Sequence, residues 1–339
     1  MKAVVFYGKN DVRYEDRPIP TIKDNEVLMR VHACGICGTD VHIFGGDEGA
    51  AKTPANTVLG HEFAGEIVEV GKNVTGISVG DHAAADPNVL CGCCDFCRRG
   101  IGHFCEHMTG IGTTVDGGFA EYCAVPASQI QLMPKELPFM QAAMTEPVSC
   151  CTHGIDLCNI KLGSTVAVIG LGMIGLLMLR LSILSGAARV IAIEPVKEKR
   201  EQAKKLGAAV CVDPTATDVS KYLLDKGITQ IDTVIECVGL TSTIEQAIAI
   251  AGKYSTVMMF GLTKPNDSIS VKPFELFKKE IVLKASYINP YTFSPAAAMI
   301  QSGSLQLDSM IGGTAPLSDL PEILADPKRR SLGKIIITM

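Results

Sequence analysis

Ser164-Thr165-Val166-Ala167-Val168-Ile169-Gly170-Leu171-Gly172-Met173-Ile174-Gly175 is the stretch that decides the fold. Its first six residues, apolar from Val166 on, form a run of the kind that makes a buried strand. The run passes without a spacer into G-x-G-x-x-G, and residues 176–185 continue in a helical pattern. The glycine pattern alone is a weak signal. Between a strand and a helix it becomes a dinucleotide turn: Gly170, Gly172 and Gly175 let the backbone approach a pyrophosphate, and the helix start at Met173 and Ile174 favours its charge. The next strand run, Arg189-Val190-Ile191-Ala192-Ile193, ends in Glu194, about 20 residues past the last glycine. A carboxylate there accepts from both ribose hydroxyls and repels a 2′-phosphate, which favours NAD over NADP. Lys199 and Arg200 would soften that preference if they faced the ribose, and would do nothing on a solvated helix face. Thr233-Val234-Ile235-Glu236-Cys237 and Ser255-Thr256-Val257-Met258-Met259-Phe260 read as further strands ending near glycine, with Val238 and Gly261 as further cofactor contacts. The alternation predicts a doubly wound parallel α/β unit over about residues 150–288.

Upstream lie two segments rich in metal donors, Cys37-Gly38-Thr39-Asp40 and Gly60-His61-Glu62. A thiolate, an imidazole and a carboxylate suit Zn²⁺, and a catalytic zinc uses three protein ligands and keeps a fourth position open. Either segment alone also reads as packing, a buried thiol or a satisfied core histidine. Between residues 91 and 105 the chain carries five cysteines, and Cys91, Cys94, Cys97 and Cys105 are spaced x2, x2 and x7. Four thiolates on short loops make a closed, structural zinc site. An iron–sulfur run would continue with a three-residue gap and Cys-Pro, which this chain lacks. The Cys34–Cys37 pair also spells CxxC, but its flanking glycines and preceding His32-Ala33 argue against a thiol redox centre.

With 339 residues the chain has room for two domains, and its net charge of −5 argues against a nucleic-acid partner. Thirteen cysteines without an apolar leader point to reduced thiols and metal sites in the cytoplasm rather than to disulfides. No apolar run reaches membrane-spanning length, the best candidate being the strand and helix around the glycine turn itself.

Gly35-Ile36-Cys37-Gly38-Thr39-Asp40-Val41-His42, Gly60-His61-Glu62, the cysteine lobe, Glu146-Pro147-Val148-Ser149 and the Gly170–Gly175 turn, in that order, resemble the zinc-dependent medium-chain dehydrogenase/reductases over essentially the whole chain. Within them the chain is similar to the sorbitol and polyol branch. The resemblance implies a GroES-like, β-rich catalytic domain over residues 1–149, the inserted Rossmann domain over 150–288, a C-terminal return over 289–339, and an active site in the cleft between domains. It implies two zincs per chain. Cys37, His61 and Glu62 hold the catalytic one, Glu146 ligates or approaches it through water, and the four lobe cysteines hold the other. Thr39 passes a proton outward from a substrate hydroxyl, His42 stands at the far end of that relay, and hydride passes to NAD. An alternative for Glu146 is a helix N-terminal charge.

One departure bears on substrate. Sorbitol-type enzymes carry an Arg near the final Rossmann strand. Here the segment reads Ala285-Ser286-Tyr287-Ile288-Asn289-Pro290-Tyr291-Thr292-Phe293, so Asn289 is the expected neutral substitute. The expected function is NAD-dependent oxidation of a secondary hydroxyl of a polyol or sugar alcohol. L-Threonine 3-dehydrogenase and polyol-phosphate dehydrogenase chemistry stand as alternatives, as does a non-catalytic zinc- and nucleotide-binding relative. Apolar Ile281-Val282-Leu283 on the last strand suggests a homodimer or homotetramer.

Overall fold

The computed structural model describes residues 1–46, 52–329 and 333–339, and divides into two compact units, Met1–Ser149 with Asn289–Met339, and Cys150–Ile288. The second unit is built on six parallel strands, in spatial order Val210–Val212, Arg189–Ile193, Thr165–Ile169, Thr233–Glu236, Thr256–Met259 and Val282–Ala285. Helices Met173–Leu184, Lys197–Lys205, Val219–Asp225, Thr241–Ile250 and Pro273–Lys279 make the crossovers. The central strands are mostly apolar because helices cover both faces, and Ala167, Ile169, Ile191, Val234 and Val257 are buried in one core. The strand order reverses between Thr165–Ile169 and Thr233–Glu236, paired through Val166↔Thr233. In a doubly wound sheet this switch point is where a ligand finds a crevice at the strands' carboxyl ends.

The glycine turn sits at that crevice, and each glycine has its own reason. Gly170 adopts φ +86°, a left-handed conformation that favours glycine. A Cβ on Gly175 would overlap the Gly170 carbonyl oxygen, so helix and strand close on each other only without a side chain. Gly172 has no atom within 4 Å of where its Cβ would lie. That open side is the one a pyrophosphate requires.

The first unit carries a seven-stranded sheet, with Glu26–Gly35 at its centre pairing antiparallel with Glu62–Val70, Tyr122–Pro126 and the final strand Lys334–Thr338. Val27, Met29, Phe63, Ile67 and Phe119 fill its core. Asn88–Val89 pairs with Thr109–Gly110 and closes the base of the cysteine lobe. Among the described residues no helix is long and apolar enough to cross a membrane.

Replacing Gly175 by Ala forces the turn open, at about 1–3 kcal/mol for an overpacked site. NADH affinity, read by fluorescence titration, is expected to weaken by about tenfold. An unchanged dissociation constant would show that the turn does not shape the cofactor site.

Candidate active site and metal centres

The register of two strands brings the upstream donors together. Gly35 pairs with Glu62 across the sheet, so Cys37, just past the end of one strand, meets His61 and Glu62 at the start of the other. One donor atom from each of Cys37, His61 and Glu62 lies within 4.8 Å of the other two. Donors around a tetrahedral zinc at about 2.0–2.3 Å stand within about 4 Å of one another, so the set fits. His61 and Glu62 are buried, and Cys37 is half-buried. Beside them Cys37, Gly38, Val41, His42, Gly333 and Ile335 line a cavity of about 290 Å³.

Cys37 caps the helix Gly38–Gly45 in a capping box with Asp40. Asp40 is fully buried and works in two directions. Its Oδ2 accepts from Cys37 N–H at 2.8 Å, and its Oδ1 lies 3.4 Å from His61 Nδ1. The ring is thereby turned so that Nε2 is left as the donor nitrogen. Burial pulls the His61 imidazole down, but the Asp40 carboxylate and the Cys37 thiolate outweigh it, and the net shift is well upward. Such an anionic, buried nest calls for a cation. Thr39 N–H donates to Cys37 Sγ at 3.5 Å, and Thr39 Oγ1 lies 3.6 Å from that sulfur. His42, one helical turn on, is exposed at the cavity wall.

Glu146 lies in the first turn of the helix Thr145–Cys158 and is buried. It stands outside the set of three donors, although its charge reaches Lys334 beside Glu62. Asn289 is only 2 % exposed. Its amide donates to Ser149 Oγ at 2.7 Å and accepts from Asn88, while Ser149 Oγ donates to the Glu146 carbonyl at 2.6 Å. Asn289 was expected against substrate; here it ties the helix that carries Glu146 to residues 86–88. The network ends at Asp86, where burial pushes the carboxyl up to about 6 against hydrogen bonds from Asn88 and Asn289.

Cys91, Cys94, Cys97 and Cys105 form the second donor set. Backbone N–H groups of Cys93 and Cys94 hold the Cys91 thiol down to about 6, whereas burial and the neighbouring thiols push Cys97 up to about 12. Four thiolates cannot coexist there without a cation, and a tetrahedral Zn²⁺ fits that demand. Cys93 remains exposed with its sulfur 3.8 Å from that of Cys91. Cys34 of the CxxC is buried, and its thiol is raised well above the ordinary range by burial. That is the opposite of a reactive redox thiol.

In the second unit, Glu194 is 5 % exposed and accepts from Leu171 N–H at 2.8 Å and Val196 N–H at 3.0 Å. It clips the glycine turn to the neighbouring strand, and its remaining lone pairs can still accept from a ribose. Arg200 turns to the Glu194 and Pro195 carbonyls and to Asp213, and Lys199 is half-buried. Glu236, fully buried, accepts from Val238 and Gly239 N–H and from the Thr243 hydroxyl. It therefore sets the loop bearing Val238, and Gly261 N–H donates to its carbonyl. Asp40, Lys334 and Glu236 were not singled out from the sequence. The x2 spacing of Cys37 and Asp40 as a capping box, and a lysine opening the apolar run Lys334-Ile335-Ile336-Ile337, were the available signals.

A Rossmann unit with an open glycine turn, carried on the same chain as two zinc donor sets of which one keeps an open side, defines a zinc- and nicotinamide-dependent dehydrogenase. Comparison agrees: residues 23–135 match the alcohol dehydrogenase GroES-like domain and residues 173–302 the zinc-binding dehydrogenase domain. The chain is 33 % identical to an L-threonine 3-dehydrogenase of Caldanaerobacter subterraneus subsp. tengcongensis, covering 99 % of this chain and 98 % of the relative. It is 32 % identical to D-arabinitol dehydrogenase 1 of Uromyces fabae, covering 99 % and 97 %. A solved zinc-binding dehydrogenase of Sinorhizobium meliloti 1021 bound to NADP superposes with a TM-score of 0.95 at 35 % identity, covering 100 % and 99 %. The chain belongs to the zinc-dependent medium-chain dehydrogenase/reductase superfamily, and its activity is that of a zinc-dependent alcohol dehydrogenase.

Two outcomes check these sites. Cys94→Ala should lower bound zinc by one per chain and reduce thermal stability, because metal binding at a structural site contributes to folding; a variant that melts with the wild type and keeps its zinc would remove the lobe as a metal site. Asp86 has a folded pKa above its unfolded value near 3.9, so its ionisation opposes folding as pH rises from about 4 to 6 and costs a constant amount above that. Asp86→Asn should therefore gain stability over wild type between pH 4 and 7 in urea melts, of order 2–3 kcal/mol at pH 7, and gain none at pH 3.5. A gain equal at both pH values would contradict the assignment.

Proposed function

We propose that the protein oxidises a secondary hydroxyl of a polyol or sugar alcohol to a ketone, reversibly, with NAD as hydride acceptor. The observation that carries the reading is the convergence of Cys37, His61 and Glu62 beside an open cavity. A regulatory relative without catalysis would have no need of a complete donor set. The similarity to an arabinitol dehydrogenase supports a polyhydroxylated substrate. The similarity to a threonine 3-dehydrogenase supports the second reading, in which the secondary hydroxyl belongs to L-threonine.

When bound, zinc supplies Lewis acidity to the substrate hydroxyl, and the dinucleotide supplies the hydride acceptor. The chain's own residues do the rest. Cys37, His61 and Glu62 hold the metal, with Glu146 nearby as a further carboxylate. Asp40 orients the His61 ring and the Cys37 backbone, so neither donor must reorganise during turnover. Thr39, whose hydroxyl faces the Cys37 sulfur, receives the substrate proton, and His42 at the cavity wall passes it to solvent. Asn289 and Ser149 hold the helix that presents Glu146. Glu194 at the ribose supports NAD over NADP. The position of Val282–Ala285 at the edge of its sheet among the described residues, with Val282 48 % exposed, supports a homo-oligomer.

The test is NADH formation by zinc-loaded protein on free polyols, polyol phosphates and L-threonine. Turnover on free polyols is expected, with kcat/KM for NAD⁺ exceeding that for NADP⁺ by about tenfold or more. Turnover on L-threonine alone would establish the second reading, and a preference for NADP⁺ would overturn the role given to Glu194. Cys37→Ser should lose activity by about 10³-fold or more while its NADH dissociation constant stays within about twofold of wild type. Retained turnover would take the metal out of the mechanism.

A further inference from the structure

Lys334 is the only lysine or arginine buried among the described residues, at 4 % exposure. It opens the final strand, and its ammonium donates to the Ile36 carbonyl at 2.9 Å and forms an ion pair with Glu62 Oε2. The anions that act on it are Glu62, Cys37 and Glu146, which are the metal donors and their neighbouring carboxylate. The placement is built into the sheet. Gly35 lies between Glu62 on one side and the final strand on the other, through Gly35↔Glu62 and Gly35↔Ile336. A Cβ on Gly35 would overlap Glu62 Oε2 and come within 2.7 Å of Lys334 Cε. The pair exists because that position carries no side chain.

A buried ion pair is a poor way to stabilise a strand, since apolar residues of similar size serve as well or better. Ile336 and Ile337 of the same strand are themselves fully buried. We propose that Lys334 is a positioning residue that weakens Glu62 as a metal donor, holding one of its oxygens and cancelling one of the site's negative charges so that the zinc stays electropositive and its open position exchangeable. This inference rests on the reading of Cys37, His61 and Glu62 as a metal site. It predicts that Lys334 lowers zinc affinity, which a residue of purely structural use would not do.

Zinc binding is to be measured by competition with a chelating dye, the catalytic and cysteine sites separating as successive equivalents. Lys334→Gln keeps a donor for the Ile36 carbonyl and removes the charge; Lys334→Met is the second variant should the first fold poorly. Either is expected to hold the catalytic zinc about tenfold tighter or more, with a larger melting-temperature gap between zinc-loaded and metal-free protein. In a Glu62→Gln background the same substitution should change affinity less than about twofold. Equal affinity in wild type and both Lys334 variants would overturn the inference and leave the metal site standing, as would a tightening that persists without the Glu62 carboxylate. A wild type that binds only the cysteine-site zinc would overturn the metal reading itself.

Discussion

The pairing of Gly35 with Glu62 is the constraint from which the active site follows. A strand pair has a side-chain period of two, so a slip of one residue would carry every side chain to the opposite face. At the observed register, Cys37 leaves its strand where His61 and Glu62 enter theirs, and three donors far apart in sequence converge. The same glycine receives the final strand on its other edge. One residue without a side chain thus lets two strands bring a carboxylate and an ammonium against it.

Charge is the second organising feature. Cys37, Asp40 and Glu62 gather around a histidine, with Lys334 as the opposing cation, which Glu146 also reaches. Unpaired buried charge is costly, and two of these groups have an engaged partner: the helix-capping Cys37 N–H for Asp40 and an ammonium for Glu62. What the protein groups leave unbalanced is the demand that a divalent cation meets. The cysteine lobe shows the same demand in simpler form, with four thiols whose proton affinities are driven apart by backbone donors and burial.

The parallel sheet was legible because both of its faces are covered, which makes its strands mostly apolar runs and leaves the glycine turn as the visible break. The cysteine lobe was legible because its donors are local in sequence. Roles that depend on tertiary pairing were not. Asn289 reads as a polar residue available to substrate, yet the fold spends its amide on Ser149 and Asn88. Glu194 reads as a ribose acceptor and also proves to be the clip on the glycine turn. Lys334 drew no reading from the sequence, and only the meeting of residues 35, 62 and 334 reveals a buried pair. Spacing reports what a local backbone presents; it does not report which partner a long-range register will supply.

The central claim is that Cys37, His61 and Glu62 hold a metal distinct from that of the cysteine lobe. It is tested most directly by diffraction from zinc-loaded, catalytically competent crystals recorded at the zinc absorption edge. The account predicts two anomalous peaks per chain, one inside the Cys91, Cys94, Cys97 and Cys105 set and one between Cys37 Sγ, His61 and Glu62. A single peak in the cysteine lobe, from protein that still turns over, would contradict it.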